Sequence, residues 1–256
     1  MKLEGPLVAG TFIRRDNRFK ATVGVKGQPV WVHVPNSGRL KELFVPGRLV
    51  LLRRIESLHR KTQYDLVLVK VGRTLVSADA RLPNKLVYEA LVASRLPEFS
   101  GYRTIHQEIP HGDSRLDLVL EGDSGRCFIE VKSVTLVQNG MALFPDAPTQ
   151  RGRRHVEELV QAIQEGERAA IIFVAQRGDA IAFTPNDAAD PAFGRSLREA
   201  VAAGLEVYAY ACRVGQDEVT LDRAIPVVLE GLAQRSLGSL RGILSTLLFP
   251  IQGGVK

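Results

Sequence analysis

Apolar and polar positions along the first 80 residues alternate in short runs, a pattern typical of β-strands. Turns such as Asp16-Asn17 and Lys26-Gly27-Gln28 separate the runs. The predicted strands cover residues 7–13, 18–25, 29–34, 48–55, 65–71 and 73–77. Between the third and the fourth, Asn36 or Ser37 is expected to cap a single helical turn. About five strands with a short helix after the third predict an OB-type barrel, and an SH3-like barrel fits nearly as well.

Beyond residue 80 the apolar positions follow both the helical and the strand period. Helices are predicted over 85–96, 151–165 and 190–203, the first with Asn84 as its cap and Pro97 as its end. Strands are predicted at 102–109, 115–120, 126–134, 169–174, 180–183, 205–213 and 218–221. This alternation predicts an α/β (mixed α+β) domain with a mixed central sheet flanked by helices. The predicted domains are residues 1–82 and 83–229.

Residues 230–256 form a third predicted segment, a C-terminal helical extension. Its apolar stripe is accompanied by two charged residues only, Arg235 and Arg241. We favour a helix that docks on its own domain. One weakly charged helix is too little for binding to a membrane surface, so no membrane partner is expected. A second subunit or another partner would also fit such a stripe, so a homodimer stays open. The stripe consists of Leu237, Leu240, Ile243, Leu244, Leu247 and Leu248.

Charge is distributed unevenly along the 256 residues. Residues 1–80 carry 15 Lys and Arg against 6 Asp and Glu, a net charge of +9, whereas residues 81–256 carry a net charge of −3. A first domain this basic favours a polyanionic partner, and nucleic acid is the commonest one. A basic surface that serves only solubility is the alternative.

Composition and cysteine placement indicate the class of protein. An apolar content of 45% is ordinary for a globular chain with a proper core. No apolar run is long enough to span a bilayer. Cys127 and Cys212 lie in apolar runs, which predicts buried, reduced thiols. We therefore expect a soluble, cytoplasmic protein.

The strongest candidate for chemistry is a predicted hairpin over residues 114–134 that carries Asp117, Glu130 and Lys132. Glu130 and Lys132 are two positions apart, so a strand projects both from one face, and the hairpin brings Asp117 alongside them. Two carboxylates hold a divalent cation through hard oxygen ligands, and a lysine orients or deprotonates a water. This is the chemistry of phosphodiester cleavage. The alternative is an ordinary solvated face of an antiparallel sheet.

Four segments, in order along the chain, resemble the sugar fermentation stimulation protein A family, and the resemblance covers residues 1 to about 229. The segments are HVPNSGRL at 33–40, SRLD at 114–117, FIEVKSVT at 128–135 and FPDAPTQRGRRH at 144–155. The resemblance implies an N-terminal OB-fold and a C-terminal domain similar to the PD-(D/E)xK nucleases. It also implies non-specific DNA binding and a regulatory role in sugar (maltose) metabolism.

The same resemblance assigns roles to individual residues. Asp117 matches the Asp of the nuclease motif, and Glu130-Val131-Lys132 matches its (D/E)-x-K element, with Leu116 where the motif has Pro. Asp117, Glu130 and the Val131 carbonyl would then hold Mg²⁺ or Mn²⁺. Lys132 would orient the attacking water.

Two further acids compete for a place at this site. Glu89 lies on the helix before the hairpin, where such nucleases often carry another metal-side acid. Glu89 fits a solvated helix residue equally well. Glu108, on the strand before Asp117, is the competing third acid.

Two basic segments are candidate DNA contacts. The helix predicted from residue 151 begins with cations that oppose its macrodipole, at an end where free backbone N–H groups bind phosphate. An exposed basic turn is the alternative. A loop between barrel strands offers amide, hydroxyl and guanidinium donors to phosphate, and for its amide and hydroxyl, local cap bonds are an equal alternative. The candidates are Arg151, Arg153, Arg154 and His155 of the helix, and Asn36, Ser37 and Arg39 of the loop.

Two functions from different classes remain open at this point. The first is a DNA-binding protein, largely independent of DNA sequence, that acts as a regulatory factor without turnover. The second is a Mg²⁺- or Mn²⁺-dependent deoxyribonuclease that uses Asp117, Glu130 and Lys132. Trp31 is expected to lie in the barrel core rather than to stack on bases.

Overall fold

The computed structural model describes residues 1–56, 60–111, 114–123 and 125–229. The predicted extension 230–256, with its apolar stripe, lies outside the described residues. The first part of the chain forms six strands in the order β3-β2-β1-β4-β5-β6. A parallel pairing of the third and fifth strands, Val32 with Tyr64 and His33 with Asp65, closes them into a barrel. The strands are β1 (Leu7–Asn17), β2 (Lys20–Val25), β3 (Gln28–His33), β4 (Leu49–Arg54), β5 (Tyr64–Val71) and β6 (Thr74–Ser77).

Side chains on alternate positions of these strands fill the barrel. Phe12, Val23 and Val32 are fully buried in this core. Because neighbouring residues of a strand point to opposite faces, Trp31 lies on the outside, where it is 54% exposed. The prediction that Trp31 belongs to the barrel core is therefore wrong. Phe19, in the turn between β1 and β2, is 50% exposed.

The loop between β3 and β4 contains a single hydrogen-bonded turn. The carbonyl of Leu40 accepts from the backbone N–H groups of Leu43 and Phe44, each at 3.0 Å. The turn begins four residues after Asn36, whose side-chain oxygen accepts instead from Gly38 N at 2.9 Å. The predicted cap of a helical turn by Asn36 is thus replaced by a local bond that shapes the loop.

The second part of the chain is α/β, as predicted. A six-stranded mixed sheet has the order β15-β14-β12-β9-β8-β7, and a second sheet has the order β10-β11-β13. Strands β9, β12 and β14 run parallel at the centre of the six-stranded sheet. The elements are α1 (Leu82–Val92), β7 (Tyr102–His111), β8 (Ser114–Gly122), β9 (Gly125–Val134), β10 (Val137–Gln138), β11 (Met141–Phe144), α2 (Gln150–Gln164), β12 (Arg168–Ala175), β13 (Ala182–Pro185), α3 (Pro191–Ala202), β14 (Glu206–Val214) and β15 (Val219–Ala224), with a short 3-10 helix at Pro97–Phe99.

Helix α1 begins earlier than its pattern predicts. Leu82 is its first residue, Pro83 occupies the second position, and Arg81 flanks it without a side-chain cap bond. Proline suits the first turn of a helix because the N–H that it lacks has no partner there. Asn84 therefore lies inside the first turn and its side chain is available to another partner.

Two cores sandwich the central sheet. Helices α2 and α3 cover one face with residues such as Leu159 and Leu197, and α1 covers the other with residues such as Leu86. Strand β9 lies between β8 and β12 and is buried on both faces. Its acidic and basic side chains are consequently held by a rigid, central element.

The barrel and the α/β part are joined by polar contacts close to the end of β9. Thr135 Oγ1 donates to Glu42 Oε1 at 2.8 Å, and Leu40 N donates to Asp146 Oδ2 at 3.0 Å. Burial, the largest effect, raises the pKa of Glu42. These contacts hold the β3–β4 loop against the α/β part and leave a cleft between them.

Both cysteines of the chain lie in the α/β part. Cys127 and Cys212 are buried and free of disulfides, as predicted, and burial raises the pKa of each thiol to about 12. Among the helices of the described residues, none is both long and apolar enough to cross a membrane.

Candidate metal centre and nucleic-acid interface

Strands β8 and β9 pair as a hairpin only as far as Leu118 and Ile129. Beyond that pair, the backbone N–H of Val131 donates to Asp117 Oδ2 at 2.8 Å rather than to a strand carbonyl. Because the N–H and C=O of one strand residue point to the same neighbouring strand, the Val131 carbonyl faces this side too. The end of the ladder therefore brings the Asp117 carboxylate to the backbone of Val131.

Glu130 is buried beside this point, with 2% of its surface exposed. Lys132 Nζ donates to Glu130 Oε1 at 2.5 Å, and His155 Nδ1 of α2 lies 2.5 Å from the same oxygen. Burial by itself raises the pKa of Glu130, but the charge of Lys132 and the contact with His155 outweigh burial and lower that pKa. The face is not an ordinary solvated one.

The second oxygen of Glu130 has a different environment. Oε2 is buried and accepts no hydrogen bond within the described part of the chain. Leaving a buried carboxylate oxygen without a partner costs free energy, so a native site normally supplies one. Oε2 is therefore an open ligand position.

Asp117 is held by two donors, Asn84 Nδ2 at 2.6 Å from Oδ1 and Val131 N at 2.8 Å from Oδ2. Burial and, after it, the charge of Glu130 raise the pKa of Asp117 to about 6, although both hydrogen bonds and Lys132 oppose this. The two carboxylates thus lie near enough for their charges to interact. A bound cation would relieve their repulsion.

This donor set fits a hard divalent cation, because the partly buried Asp117 carboxylate and the buried Glu130 carboxylate, which has an open oxygen, lie beside the backbone of Val131. In residues 1–56, 60–111, 114–123 and 125–229 no group of three or more His, Cys, Asp and Glu side chains could hold a metal ion. A cation here would therefore take two carboxylates and complete its shell with the carbonyl of Val131 and with waters.

The two competing acids are engaged elsewhere. Glu89 is half-exposed, and its Oε2 lies 3.4 Å from the amino group of Met1. Glu108 is exposed to solvent and pairs with Arg115 at 3.2 Å. Neither acid forms a third side-chain ligand with Asp117 and Glu130 in the described residues. The residue of α1 that reaches the site is Asn84.

The three arginines and the histidine at the start of α2 have separate environments. Arg153 donates to both oxygens of Asp190, at 3.0 and 3.2 Å, and Asp190 in turn caps α3. His155 is 3% exposed on its side chain and contacts Glu130. These two side chains hold the fold and the carboxylate, so the observed contacts do not favour them as DNA contacts.

Arg151 and Arg154 remain accessible on the same helix. Arg151 is exposed, and its Nε donates to His155 Nε2 at 3.1 Å. Arg154 lies 3.9 Å from Glu158 and is mostly exposed. Arg151 thus connects solvent, through His155, to the buried Glu130.

The cleft between the barrel and the α/β part has a volume of about 620 Å³. It is lined by guanidinium and hydroxyl groups from both sides, which are the donors that phosphate oxygens accept. The residues concerned are Arg18, Ser37 and Arg39 of the barrel and Ser133, Thr149 and Arg151 of the α/β part. The predicted loop contacts Ser37 and Arg39 and the predicted helix contact Arg151 therefore lie on one surface.

Asn36 differs from its neighbours because its side chain is already used. It is buried, its Nδ2 donates to Ala78 O at 3.2 Å, and its Oδ1 accepts from Gly38 N. Of the two alternatives for Asn36, these contacts support the local structural one. Ser37 and Arg39 remain candidates for phosphate.

Arg15 organises the cleft from beneath and was missed by pattern reasoning. Its guanidinium donates to the carbonyls of Gly38 at 2.5 Å, Arg39 at 2.7 Å, Arg18 at 2.6 Å and Asn36 at 2.8 Å. A planar group with donors in a fixed fork suits such convergence. Two basic residues in succession in a strand carry no signal that one of them binds a distant loop.

Comparison with known proteins identifies both parts of the chain. Residues 13–78 match the family model described as the SfsA N-terminal OB domain. Residues 81–218 match the model described as the sugar fermentation stimulation protein RE domain. The OB-type barrel, predicted beside an SH3-like alternative, is thereby confirmed.

Relatives cover nearly the same length. The chain is 46% identical over 229 residues to the sugar fermentation stimulation protein homolog of Caldanaerobacter subterraneus, covering 90% of this chain and all of the relative. It is 46% identical over 231 residues to the homolog of Geobacter sp., with 90% and 100% covered. A solved structure of Pyrococcus furiosus SfsA in complex with Ca²⁺ matches with a TM-score of 0.82 and 32% identity, covering 89% of this chain and 98% of that one.

Proposed function

This chain belongs to the sugar fermentation stimulation protein family, and on that premise we propose that it binds DNA with little sequence preference. The observation that carries the proposal is the cleft, in which Arg18, Ser37 and Arg39 of the barrel face Arg151 of α2. A phosphate backbone satisfies several such donors at once. The net charge of +9 over residues 1–80 supports the same partner.

The contacts that such a cleft offers are to phosphate rather than to base edges. Phosphate contacts position a protein on DNA and carry no sequence information directly. A regulatory role in sugar (maltose) metabolism would act through this binding, and its support is the family's name. In this reading the protein is an architectural or regulatory DNA-binding factor.

A salt series tests the proposal. Binding to two unrelated DNA sequences should have similar affinity, and that affinity should fall steeply as salt rises. Arg39→Ala and Arg151→Ala should each weaken binding and reduce the salt slope by about one. Arg103→Ala, which removes an exposed arginine paired with Asp123, is the matched control and should change neither. A flat salt dependence would contradict the proposal.

We propose a metal-dependent nuclease as the second candidate function, on the observation that buried Glu130 Oε2 lacks a partner while Asp117 and Lys132 lie beside it. The relative solved in complex with Ca²⁺ supports the binding of a divalent cation. Mg²⁺ or Mn²⁺ is the proposed ion. Bound there, it would supply a Lewis acid and lower the pKa of a coordinated water.

Each residue of the site then has a task. Asp117 and Glu130 provide the carboxylate ligands, and Val131 adds its carbonyl. Lys132, held by Glu130, would orient the attacking water and counter the negative charge that develops on the phosphate. His155 fixes the position of the Glu130 carboxylate from α2. Accessible arginines of the cleft hold the DNA backbone.

Lys132→Ala separates the two candidates. In a nuclease it should remove Mg²⁺- or Mn²⁺-dependent cleavage while DNA affinity stays nearly unchanged, because the lysine acts mainly on the transition state. Lys85→Ala, an exposed lysine of α1, is the control and should leave cleavage intact. Cleavage that survives Lys132→Ala would come from a contaminating nuclease. With no cleavage of any DNA form, the binding function stands alone.

A further inference from the structure

Two large aromatic side chains lie exposed on the barrel, whereas Phe12 is buried in the barrel core. Phe19 is 50% and Trp31 54% exposed. The ammonium group of Lys20 lies 4.2 Å from the centroid of the Trp31 ring and still leaves more than half of the residue accessible. Residues Phe19, Lys20 and Trp31 are called the aromatic face below.

The aromatic face lies on the outer surface of β2 and β3 and on the turn that precedes β2. Lys20 and Trp31 lie on β2 and β3, on the same outer side, with Thr22 paired to Trp31 and Lys20 to His33. Phe19 lies in the turn between β1 and β2. In an OB-fold the surface of strands 2 and 3 and the loop between strands 1 and 2 are where oligonucleotides bind.

This face continues directly into the cleft. Arg18, which lines the cleft, immediately precedes Phe19, and its carbonyl is fixed by Arg15. On the other side of the cleft Arg151 leads through His155 to Glu130. A DNA strand on the aromatic face would therefore enter the cleft beside Arg18 and approach Arg151, whose contact with His155 connects it to Glu130.

We propose that the aromatic face stacks unpaired bases, so that the preferred ligand is single-stranded DNA, or the single-stranded part of a branched or frayed duplex. The inference rests on the proposed DNA binding and specifies its substrate class. Every base has a flat π-face that can stack on Trp31 or Phe19, while Lys20 and Arg18 contact the phosphates on either side.

The alternating chemistry of the face argues for nucleic acid over another protein. Cations flank the aromatic residues at consecutive positions, Arg18 and Lys20 around Phe19, as expected for a ligand that alternates bases with phosphates. A blunt duplex cannot use the aromatic rings, because its bases are stacked on each other and expose only their edges in the grooves. A blunt duplex can contact only the cationic side chains, Arg18 and Lys20.

The chain offers an internal probe, because Trp31 is its single tryptophan. The intact protein is titrated with an oligothymidylate of about 16 nucleotides, which spans the site size of one OB-fold, and with a blunt duplex of equal length. We expect the single strand to bind at least tenfold more tightly and to quench the fluorescence of Trp31. The duplex should leave that fluorescence nearly unchanged.

Variants assign the effect to the ring. Trp31→Ala should lower the affinity for the single strand at least tenfold in a fluorescence-anisotropy assay with labelled DNA, and should leave the affinity for duplex unchanged. Trp31→Phe should restore most of it, because a ring is retained. Ile181→Ala, which truncates an equally exposed apolar residue of the α/β part, is the matched control and should have no effect. Circular dichroism verifies that each variant is folded.

Three outcomes would overturn the inference. The first is equal affinity for single strand and duplex with no quenching of Trp31, and the second is an unaltered single-strand affinity in Trp31→Ala. The third is a loss of affinity in Trp31→Ala that is equal for both DNA forms. In each case the proposed DNA binding would still stand. Such results would make the aromatic face a contact for another protein. Absence of binding to either DNA form would overturn the proposed function as well.

Discussion

Asn84 Nδ2 donates to Asp117 Oδ1 at 2.6 Å, which connects the first turn of α1 to the end of β8. The bond fixes a carboxylate whose burial and neighbouring charge raise its pKa to about 6. It requires α1 to begin at Leu82, because only then does Asn84 lie within the helix rather than at its cap. The start of a helix thereby determines how one candidate ligand is oriented.

We expect Asn84→Ala to destabilise the protein by about 1 kcal/mol, the usual contribution of such a hydrogen bond. It should also weaken divalent-cation binding, because Asp117 loses the donor that orients it. Chemical unfolding and calorimetric titration measure the two effects. Lys85→Ala, on the exposed side of the same turn, should alter neither quantity. Unchanged cation affinity in Asn84→Ala would show that this bond does not position a ligand.

The double variant Asp117→Ala with Glu130→Ala should abolish stabilisation by divalent cations. A ligand present at one hundred times its Kd stabilises the folded protein by about 2.7 kcal/mol, so Mg²⁺, Mn²⁺ or Ca²⁺ should raise the Tm of the wild-type protein, and EDTA should reverse that rise. Glu108→Ala with Asp123→Ala removes two exposed carboxylates, one on β7 and one in the turn after β8, and should keep the shift. An equal shift in the first double variant would place the cation elsewhere.

Arg15→Lys should lower stability by roughly 2–3 kcal/mol, because an ammonium group cannot replace the forked donors to four backbone carbonyls. DNA affinity should fall about tenfold even though Arg15 only contacts protein, since Gly38, Arg39 and Arg18 lose their shared anchor. Arg14→Lys, at a largely exposed neighbour paired with Asp16, is the control. If Arg15→Lys binds DNA normally, the loop keeps its shape without the fork.

Asp65 should dominate the acid sensitivity of the barrel. Burial by itself raises its pKa, but hydrogen bonds from Arg60, Arg53 and His33 outweigh burial and lower that pKa. A carboxyl group with a lowered folded-state pKa adds stability above its ordinary pKa of about 4, and that stability is lost as pH falls through the folded-state value.

Asp65→Asn should therefore destabilise the protein at pH 7 by roughly 2–3 kcal/mol, the worth of hydrogen bonds to a charged group. Its stability should also fall less steeply than that of the wild type below about pH 4, where Asp65 takes up its proton. Urea unfolding across pH 2–7 measures both. Asp222→Asn, at a more exposed carboxylate next to Arg223, should leave the pH profile unchanged. Parallel profiles for Asp65→Asn and wild type would contradict the assignment.

Local patterns were sufficient for the elements and for the central pair of the candidate site. The period of two in a strand puts Glu130 and Lys132 on one face, and the hairpin turn brings Asp117 to them, so these residues could be assigned without coordinates. The barrel and the α/β layers followed from the same kind of pattern. Each of these inferences depends on residues close together in the chain.

Tertiary structure alone decided which partner each side chain has. The place of His155 and Arg153 at a helix start predicts DNA contacts, whereas α2 packs so that His155 contacts Glu130 and Arg153 binds Asp190. Trp31 was assigned to the core, but the register of β3 turns it outward. Burial and partners depend on how distant elements pack. A local sequence pattern carries no information on that packing.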